Sequence, residues 1–292
     1  MQITPGTASL GAAVSGLDLA VPLGDDDLRT LLRALARYGV LRFPAQNLTP
    51  EHLAAFGARF GPLERNVANI WHAPGLPEVM ILSNVVEDGK QIGLPDAGQD
   101  WHTDMSYSRE IALATVLHAK KIPVRDGKVL GDTQFRDMRA AYQDLPAALK
   151  ARLAGKAAIH DFAKFWDMMR ERPGSTRQPL SERQREYKPP VAQPIFRRHP
   201  VSGEMVLYCN PGYAMRIEGM DEEESGETLE FLFRHQAQDK YLYAHRWTVG
   251  DVLMWDDIAT THNAVADYRS DEPRFMYRVQ VIAAEDYPIL VA

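Results

Sequence analysis

With a single cysteine, Cys209, in 292 residues, the chain can form no intramolecular disulfide. Nor does it have the thiolates for a zinc finger or an iron–sulfur cluster. That scarcity fits a reducing compartment, and a cytoplasmic location is expected. Long apolar runs are also missing. No stretch reaches the roughly 18 apolar residues needed to cross a bilayer, so no membrane association is expected. The amino terminus, MQITPGTASLGAAVSGLDLA, has neither a basic region nor a long apolar segment, and no signal peptide is read there. An excess of positive charge is absent too: 33 Lys and Arg stand against 39 Asp and Glu, a net charge of -6. Nucleic-acid binding relies on clustered cations that displace phosphate counterions. No nucleic-acid partner is therefore expected, although a local basic pocket for a small anion stays open.

What is present is an ordinary globular composition, 45% hydrophobic, with ample material for a core. Residues 25–38 read as a helix, with Leu28, Leu31, Leu32 and Leu35 on one face and acidic residues at its start. A strand is read at 40–43. A second helix follows Thr49-Pro50-Glu51, with Leu53, Phe56 and Phe60 turned inward. Further along, short runs rich in Val, Ile, Tyr and Phe read as strands at 79–82, 112–119, 205–208, 252–255 and 275–282. Helices are expected at 138–153 and 222–238. The segment 163–194 is polar and rich in Arg, Pro and Ser, which reads as a lid or a disordered loop. With no linker and no repeat, residues 1–292 read as one domain. Its class is mainly β with flanking helices, a sandwich or jelly roll.

The segment Asp100-Trp101-His102-Thr103-Asp104 carries the first chemical signal. On an extended strand residues i and i+2 share a face, so His102 and Asp104 would present an imidazole and a carboxylate side by side. The bland alternative is a surface strand with a salt-linked histidine. A third ligand has to come from elsewhere. Gly250 to Thr261 reads as a turn, a buried strand and a loop that delivers His262. Two histidines and one carboxylate on one face of an octahedron leave three positions open, which suits Fe(II) enzymes that bind a chelating cosubstrate together with dioxygen. Beyond His262 come Arg274 and Arg278, set among apolar residues and expected on one strand face. An enclosed guanidinium is costly unless paired, and Arg suits bidentate carboxylates. The pair reads as docking points for two anions, with the solvent face of an edge strand as the alternative.

These residues occur in an order that resembles a known family. Trp101-His102-Thr103-Asp104, Gly131-Asp132-Thr133-Gln134-Phe135, Met138-Arg139-Ala140-Ala141-Tyr142, His199-Pro200-Val201-Ser202-Gly203 followed by Leu207-Tyr208, Trp255-Asp256 to His262, and Arg274 to Arg278 are similar to the taurine dioxygenase / 2,4-dichlorophenoxyacetate dioxygenase family. The resemblance covers nearly the whole chain, including Phe60-Gly61-Pro62-Leu63. It implies a double-stranded β-helix, the jelly-roll core, and Fe(II), 2-oxoglutarate and O2 as the reaction's requirements, with succinate and CO2 released. It implies His102, Asp104 and His262 as iron ligands, Thr133 and Arg274 as holders of the distal carboxylate of 2-oxoglutarate, and Arg278 as the contact for an anionic substrate. A small anionic organic substrate and a homo-oligomeric state are expected on the same ground.

The departures are specific. Leu130 stands where the family often has a second glycine, and Asp257-Ile258 where it often has Asn-Arg. The stretch Asn66 to Trp71 lacks the histidine that the taurine-specific branch uses, so taurine itself is not expected. Ile70, Trp71 and Tyr107 give a more apolar pocket, pointing to an aromatic or alkyl substrate, phenoxyalkanoates with ether cleavage included. Two rival readings are a jelly-roll metalloenzyme that does not use 2-oxoglutarate and a non-catalytic anion-binding module.

Overall fold

The computed structural model describes residues 1–65, 71–172, 175, 177–285 and 287. The frame is an eight-stranded sheet. From edge to edge its strands are Gln2–Pro5, Ala12–Ser15, Val40–Phe43, Val252–Asp256, Ala112–Lys121, Phe275–Ile282, Leu76–Ser83 and His72–Ala73. All neighbours are antiparallel except Ala12–Ser15 beside Val40–Phe43. The central strands are covered on both faces. Val252–Asp256 is buried throughout, and Ala112–Lys121 over its first eight residues. Continuous apolar runs without alternation are what such strands require.

Two helices follow from local sequence. Asp25–Tyr38 starts with three acidic residues at its positive end and buries Leu28, Leu31, Leu32 and Leu35. It stops at Gly39, whose φ of 67° is left-handed and whose N–H reaches the Leu35 carbonyl. Pro50–Ala58 is started by Thr49, whose side chain accepts from His52 N, with proline in the first turn. Phe43, Phe56 and Phe60 then meet edge to face.

A smaller sheet, Leu242–His245, Thr133–Asp137 and Thr260–Ala264, is joined to the large one by an apolar cluster. Leu117, Leu253, Trp255 and Met276 of the large sheet there meet Phe135, with Trp247 alongside. The result is a mixed α/β molecule with many strands and few helices. Among the described residues no helix is long and apolar enough to cross a membrane.

Two expected elements differ. The helix read at 138–153 is two, Met138–Gln143 and Ala147–Leu153. Pro146 between them has no N–H and disfavours helical backbone at Leu145. The segment 163–194 is not a structureless loop in its described part. It contains the helices Phe162–Arg170 and Glu182–Tyr187 and the strand Val191–Pro194, which pairs with Ala157–His160. Asp161 caps the first of these by accepting from Ala163 N. Phe162, Phe165, Trp166 and Met169 recur at helical spacing, a signal hidden by the polar residues around them. The remaining expected strands lie within Leu76–Ser83, Ala112–Lys121, Met205–Leu207, Val252–Asp256 and Phe275–Ile282, and the last long helix is Glu222–Gln236.

Buried histidines give the fold a pH dependence. Burial, with Lys164 and Arg197 nearby, pushes His160 down to about 3. Burial and Lys120 push His118 down to about 4. An unfolded histidine takes up its proton near pH 6.5. Between those limits the unfolded chain binds more protons, so stability rises with pH and is lost progressively as pH falls below about 6.5. Thermal melts from about pH 7 down to about pH 4 are expected to show a falling Tm. The slope should be shallower in His160→Leu, and an identical slope would remove His160 from the account.

Candidate metal centre and cavity

His102 and Asp104 come together differently from the expected strand. His102 forms an isolated antiparallel bridge with His262: each N–H donates to the other's carbonyl, at 3.0 Å and 2.8 Å. The chain then turns at once, with Met105 at a φ of 54°. A backbone bridge between residues far apart in the chain thus sets the two imidazoles 4.2 Å apart, centroid to centroid. The turn brings Asp104 to them: its Oδ1 is 3.4 Å from His102 Nε2 and its Oδ2 3.8 Å from His262 Nε2. His262 itself lies within the strand Thr260–Ala264, opposite Phe135.

The three buried residues offer one ligand atom each within 4.8 Å of one another. Atoms bound about 2.1 Å from one ion lie roughly 3 Å apart at neighbouring positions, so little closure is needed. The electronic state of the donors fits as well. His102 Nδ1 is 2.8 Å from the Asp100 carbonyl, which places its proton there and leaves the Nε2 lone pair free. His262 is pushed down to about 3 by burial and by His102, so its imidazole is neutral. Burial works against ionisation of Asp104, yet the Arg278 guanidinium and the two imidazoles hold its carboxyl well below the usual carboxylate range. Two imidazoles and one carboxylate form the donor set that suits non-haem Fe(II).

The surroundings hold this geometry tightly. Phe165 lies 5.0 Å from the His102 ring and Tyr213 6.1 Å. Gly212 lets the backbone approach, since a Cβ there would sit 2.8 Å from His102 Cβ and 3.1 Å from the Trp101 carbonyl oxygen. Gly212→Ala is therefore expected to displace His102. Its cost should be about 1–3 kcal/mol of stability, the usual range for overpacking, with weaker metal binding, read by thermal melts and by Co(II) titration. A variant with both unchanged would show that the approach is not needed. Among the described residues Trp71, Asp100 and Met105 are three of six non-glycine residues at positive φ, and all three border this centre or its cavity.

A cavity opens beside the triad, and His102, Asp104, Trp71, Tyr107 and Arg278 all line it. Arg278 reaches in from Phe275–Ile282, with Nη1 3.8 Å from Asp104 Oδ2 and Nη2 3.0 Å from Met80 Sδ. Ile70 lies outside the described residues. Sequence reasoning missed much of the wall: Phe165, Trp166, Arg177 and Leu180 come from the segment read as a lid or loop, Phe162 from the residue just before it, and Tyr213 from beyond it. Ion pairs tie that segment down, Arg172 to Asp100 at 2.6 Å, Arg177 to Asp96 at 2.8 Å and Lys188 to Glu64 at 3.3 Å.

Arg274 and Arg278 do not share one environment. Arg274 stands one residue before Phe275–Ile282, and a register shift follows at Phe275/Met276. Strict alternation does not extend to it, and it is not part of the cavity wall. It is nevertheless 5% exposed, and its Nε has no hydrogen-bond partner among the described residues. No carboxylate lies within ion-pair distance among the described residues. A Cβ at Gly131 would lie 3.4 Å from that Nε, so the Gly131–Thr133 stretch runs beside it. Thr133 is buried, opposes Ala264 on the His262 strand, and accepts from Trp247 Nε1 at 3.0 Å.

Three histidines without an assigned part in the sequence have structural partners. His199 Nε2 lies 2.8 Å from Asp256 Oδ2, both fully enclosed. His118 Nε2 meets the Gln46 carbonyl at 3.2 Å. His245 Nε2 is 3.3 Å from Asp251 Oδ2. Asp251, read as turn chemistry, also accepts from Arg42 and from Thr248 N, which ties Val40–Phe43 to the turn before Val252.

The donor set fits a non-haem iron oxygenase. Comparison with known proteins is in accord. Residues 2–280 match the family model described as taurine catabolism dioxygenase TauD, TfdA family, and the chain belongs to this family. It is 34% identical over 261 residues to alpha-ketoglutarate-dependent 2,4-dichlorophenoxyacetate dioxygenase of Cupriavidus pinatubonensis, covering 86% of this chain and 87% of that one. It is 31% identical over 295 residues to pentalenolactone F synthase of Streptomyces avermitilis, covering 97% and 94%. Among solved structures it superposes on AAD-2 in complex with Mn(II) and N-oxalylglycine, with a TM-score of 0.79, 28% identity and 98% of each chain covered.

Proposed function

We propose that this chain is an Fe(II)- and 2-oxoglutarate-dependent dioxygenase that hydroxylates a small anionic organic substrate, with a jelly-roll core formed by a single domain over 1–292. The observation that carries the reading is the convergence of His102, Asp104 and His262 beside a cavity that also receives the cation of Arg278.

Bound Fe(II) with 2-oxoglutarate and O2 supplies the oxidation, releasing succinate and CO2. The protein's own residues do the rest. His102, Asp104 and His262 hold the metal. Arg274, enclosed without a counter-charge among the described residues, and Thr133 hold the far carboxylate of 2-oxoglutarate. The enclosed guanidinium is the argument for an anion there, since burial without one is costly. Arg278 takes the carboxylate, sulfonate or sulfate of the substrate and so sets which carbon faces the metal. Trp71, Tyr107, Phe162 and Phe165 form apolar walls that suit an aromatic or alkyl body. Burial and Asp104 push the Tyr107 phenol up, so it stays a neutral hydroxyl at working pH. The segment that carries Phe162, Phe165 and Arg177 closes the cavity from water. Hydroxylation at a carbon bearing an ether oxygen would break that ether.

The relatives' names point to phenoxyalkanoates and sulfonates as the panel to test. The purified protein with Fe(II), 2-oxoglutarate and O2 is expected to form succinate in proportion to a phenoxyalkanoate or alkyl sulfonate supplied. Substrate oxidation that proceeds unchanged without 2-oxoglutarate would instead favour a jelly-roll metalloenzyme of another type. An absence of any ferrous binding would favour a plain anion-binding module.

A further inference from the structure

Beside His262, outside the cavity wall, stands a second buried carboxyl group that the reaction scheme above does not use. Asp257 is 0% exposed and lies in the turn between Val252–Asp256 and Thr260–Ala264, five residues before His262. Its Oδ1 accepts from Trp255 Nε1 at 2.9 Å, and its Oδ2 from the Thr115 hydroxyl at 2.7 Å. The same hydroxyl lies 2.9 Å from Asp104 Oδ2. Two neutral donors on two strands thus fix the orientation of this carboxyl. Trp255 also packs its ring 4.8 Å from that of His262.

His262 itself is incompletely satisfied. Its Nδ1 is buried without a hydrogen-bond partner among the described residues, and Asp257 Oδ1 lies 3.9 Å away, about 0.7 Å outside hydrogen-bond range. Coordination through Nε2 draws electron density out of an imidazole and makes its remaining N–H a stronger donor. Metal-bound histidines accordingly place that N–H on a carboxylate, a carbonyl or water. His102 has the Asp100 carbonyl for this purpose. For His262 the facing acceptor is Asp257.

We propose that Asp257 is a positioning residue of the metal centre: it receives the Nδ1–H of His262 when Nε2 binds a divalent cation, and so fixes the ring. The inference rests on the metal-binding reading of the triad. It also assigns a consequence to the Asp257-Ile258 departure from the family's usual Asn-Arg. Asparagine at 257 would keep the shape and an oxygen for Trp255, and would replace the carboxyl with an amide.

The test compares wild type with Asp257→Asn, both metal-free at the start, titrated anaerobically with Co(II) and followed by the visible d–d spectrum and a competing chelator. Wild type is expected to bind. Asp257→Asn should bind about tenfold or more weakly, the range seen for outer-shell partners, with an altered spectrum and a metal-free Tm within a few degrees of wild type. Wild type alone supplies a second measurement. With 15N-labelled histidine and bound Zn(II), two Nδ1–H signals are expected from coordinated imidazoles, the one further downfield being donated to a carboxylate. Equal Co(II) affinity and spectrum in the two proteins, or a single carbonyl-like pair of Nδ1–H signals, overturns the role of Asp257 alone. Failure of wild type to bind Co(II) overturns the metal reading and this inference with it.

Discussion

His262→Ala is expected to bind Fe(II) or Co(II) more than about a hundredfold more weakly than wild type, since even outer-shell changes reach that range. Succinate formation should fall by at least about a thousandfold, or roughly 4 kcal/mol of transition-state stabilisation. The reasoning is geometric. Asp104 and His102 approach each other directly, but the third donor arrives only through the bridge that pairs His102 with His262. Removing the imbibed ring leaves two protein donors and an open side toward Trp255 and Phe135, whose rings lie 4.8 Å and 6.2 Å from it. The bridge is made by backbone atoms and survives the substitution. No hydrogen bond of the ring's Nδ1 is lost. The metal-free Tm should therefore drop by no more than the modest cost of the cavity left behind. Retained ferrous affinity in a folded His262→Ala protein would disprove the triad.

The second large effect is a split between two arginines four residues apart in one chain segment. Arg278→Ala should raise the KM for an anionic substrate by roughly 10- to 100-fold. That corresponds to the 1.5–3 kcal/mol typical of a hydrogen bond to a charged group. The KM for 2-oxoglutarate should hardly move. Arg274→Ala should do the reverse. The basis is location: Arg278 faces the cavity with Nη1 3.8 Å from Asp104, whereas Arg274 is enclosed beside Gly131, outside the cavity wall. Arg278→Lys keeps the charge and loses the planar fork, so it should recover only part of the affinity. Initial rates with each substrate varied at saturating levels of the other give the four constants. Equal shifts of both constants in both variants would end the assignment of one arginine to each anion.

The difference between these two side chains was only half legible in the chain. Arg274 and Arg278 stand out as cations inside an apolar run, and two enclosed cations ask for two anions. Strand periodicity put them on one face. The strand begins at Phe275 and shifts register at Met276, so the two face different spaces. The same limit applies to His102 and Asp104. The residue types and their closeness in sequence marked them as ligands, but a bridge and a tight turn, not strand alternation, join them. The helix Phe162–Arg170 shows the opposite error. Its aromatic spacing was present, and the surrounding Arg, Pro and Ser residues drew attention away from it.

By itself, then, the sequence determined the chemistry available: which side chains can bind a metal, which cations await anions, and which runs must be buried. These follow from local covalent and conformational properties that each residue carries with it. Only the tertiary structure decided that His102 and His262 meet, that Arg278 and not Arg274 enters the cavity, that Phe165 and Tyr213 wall it, and that Asp257 stands beside His262. Those outcomes depend on which distant segments pair and pack, and at what register: a one-residue slip of a strand would turn its side chains, Arg278 among them, to the other face.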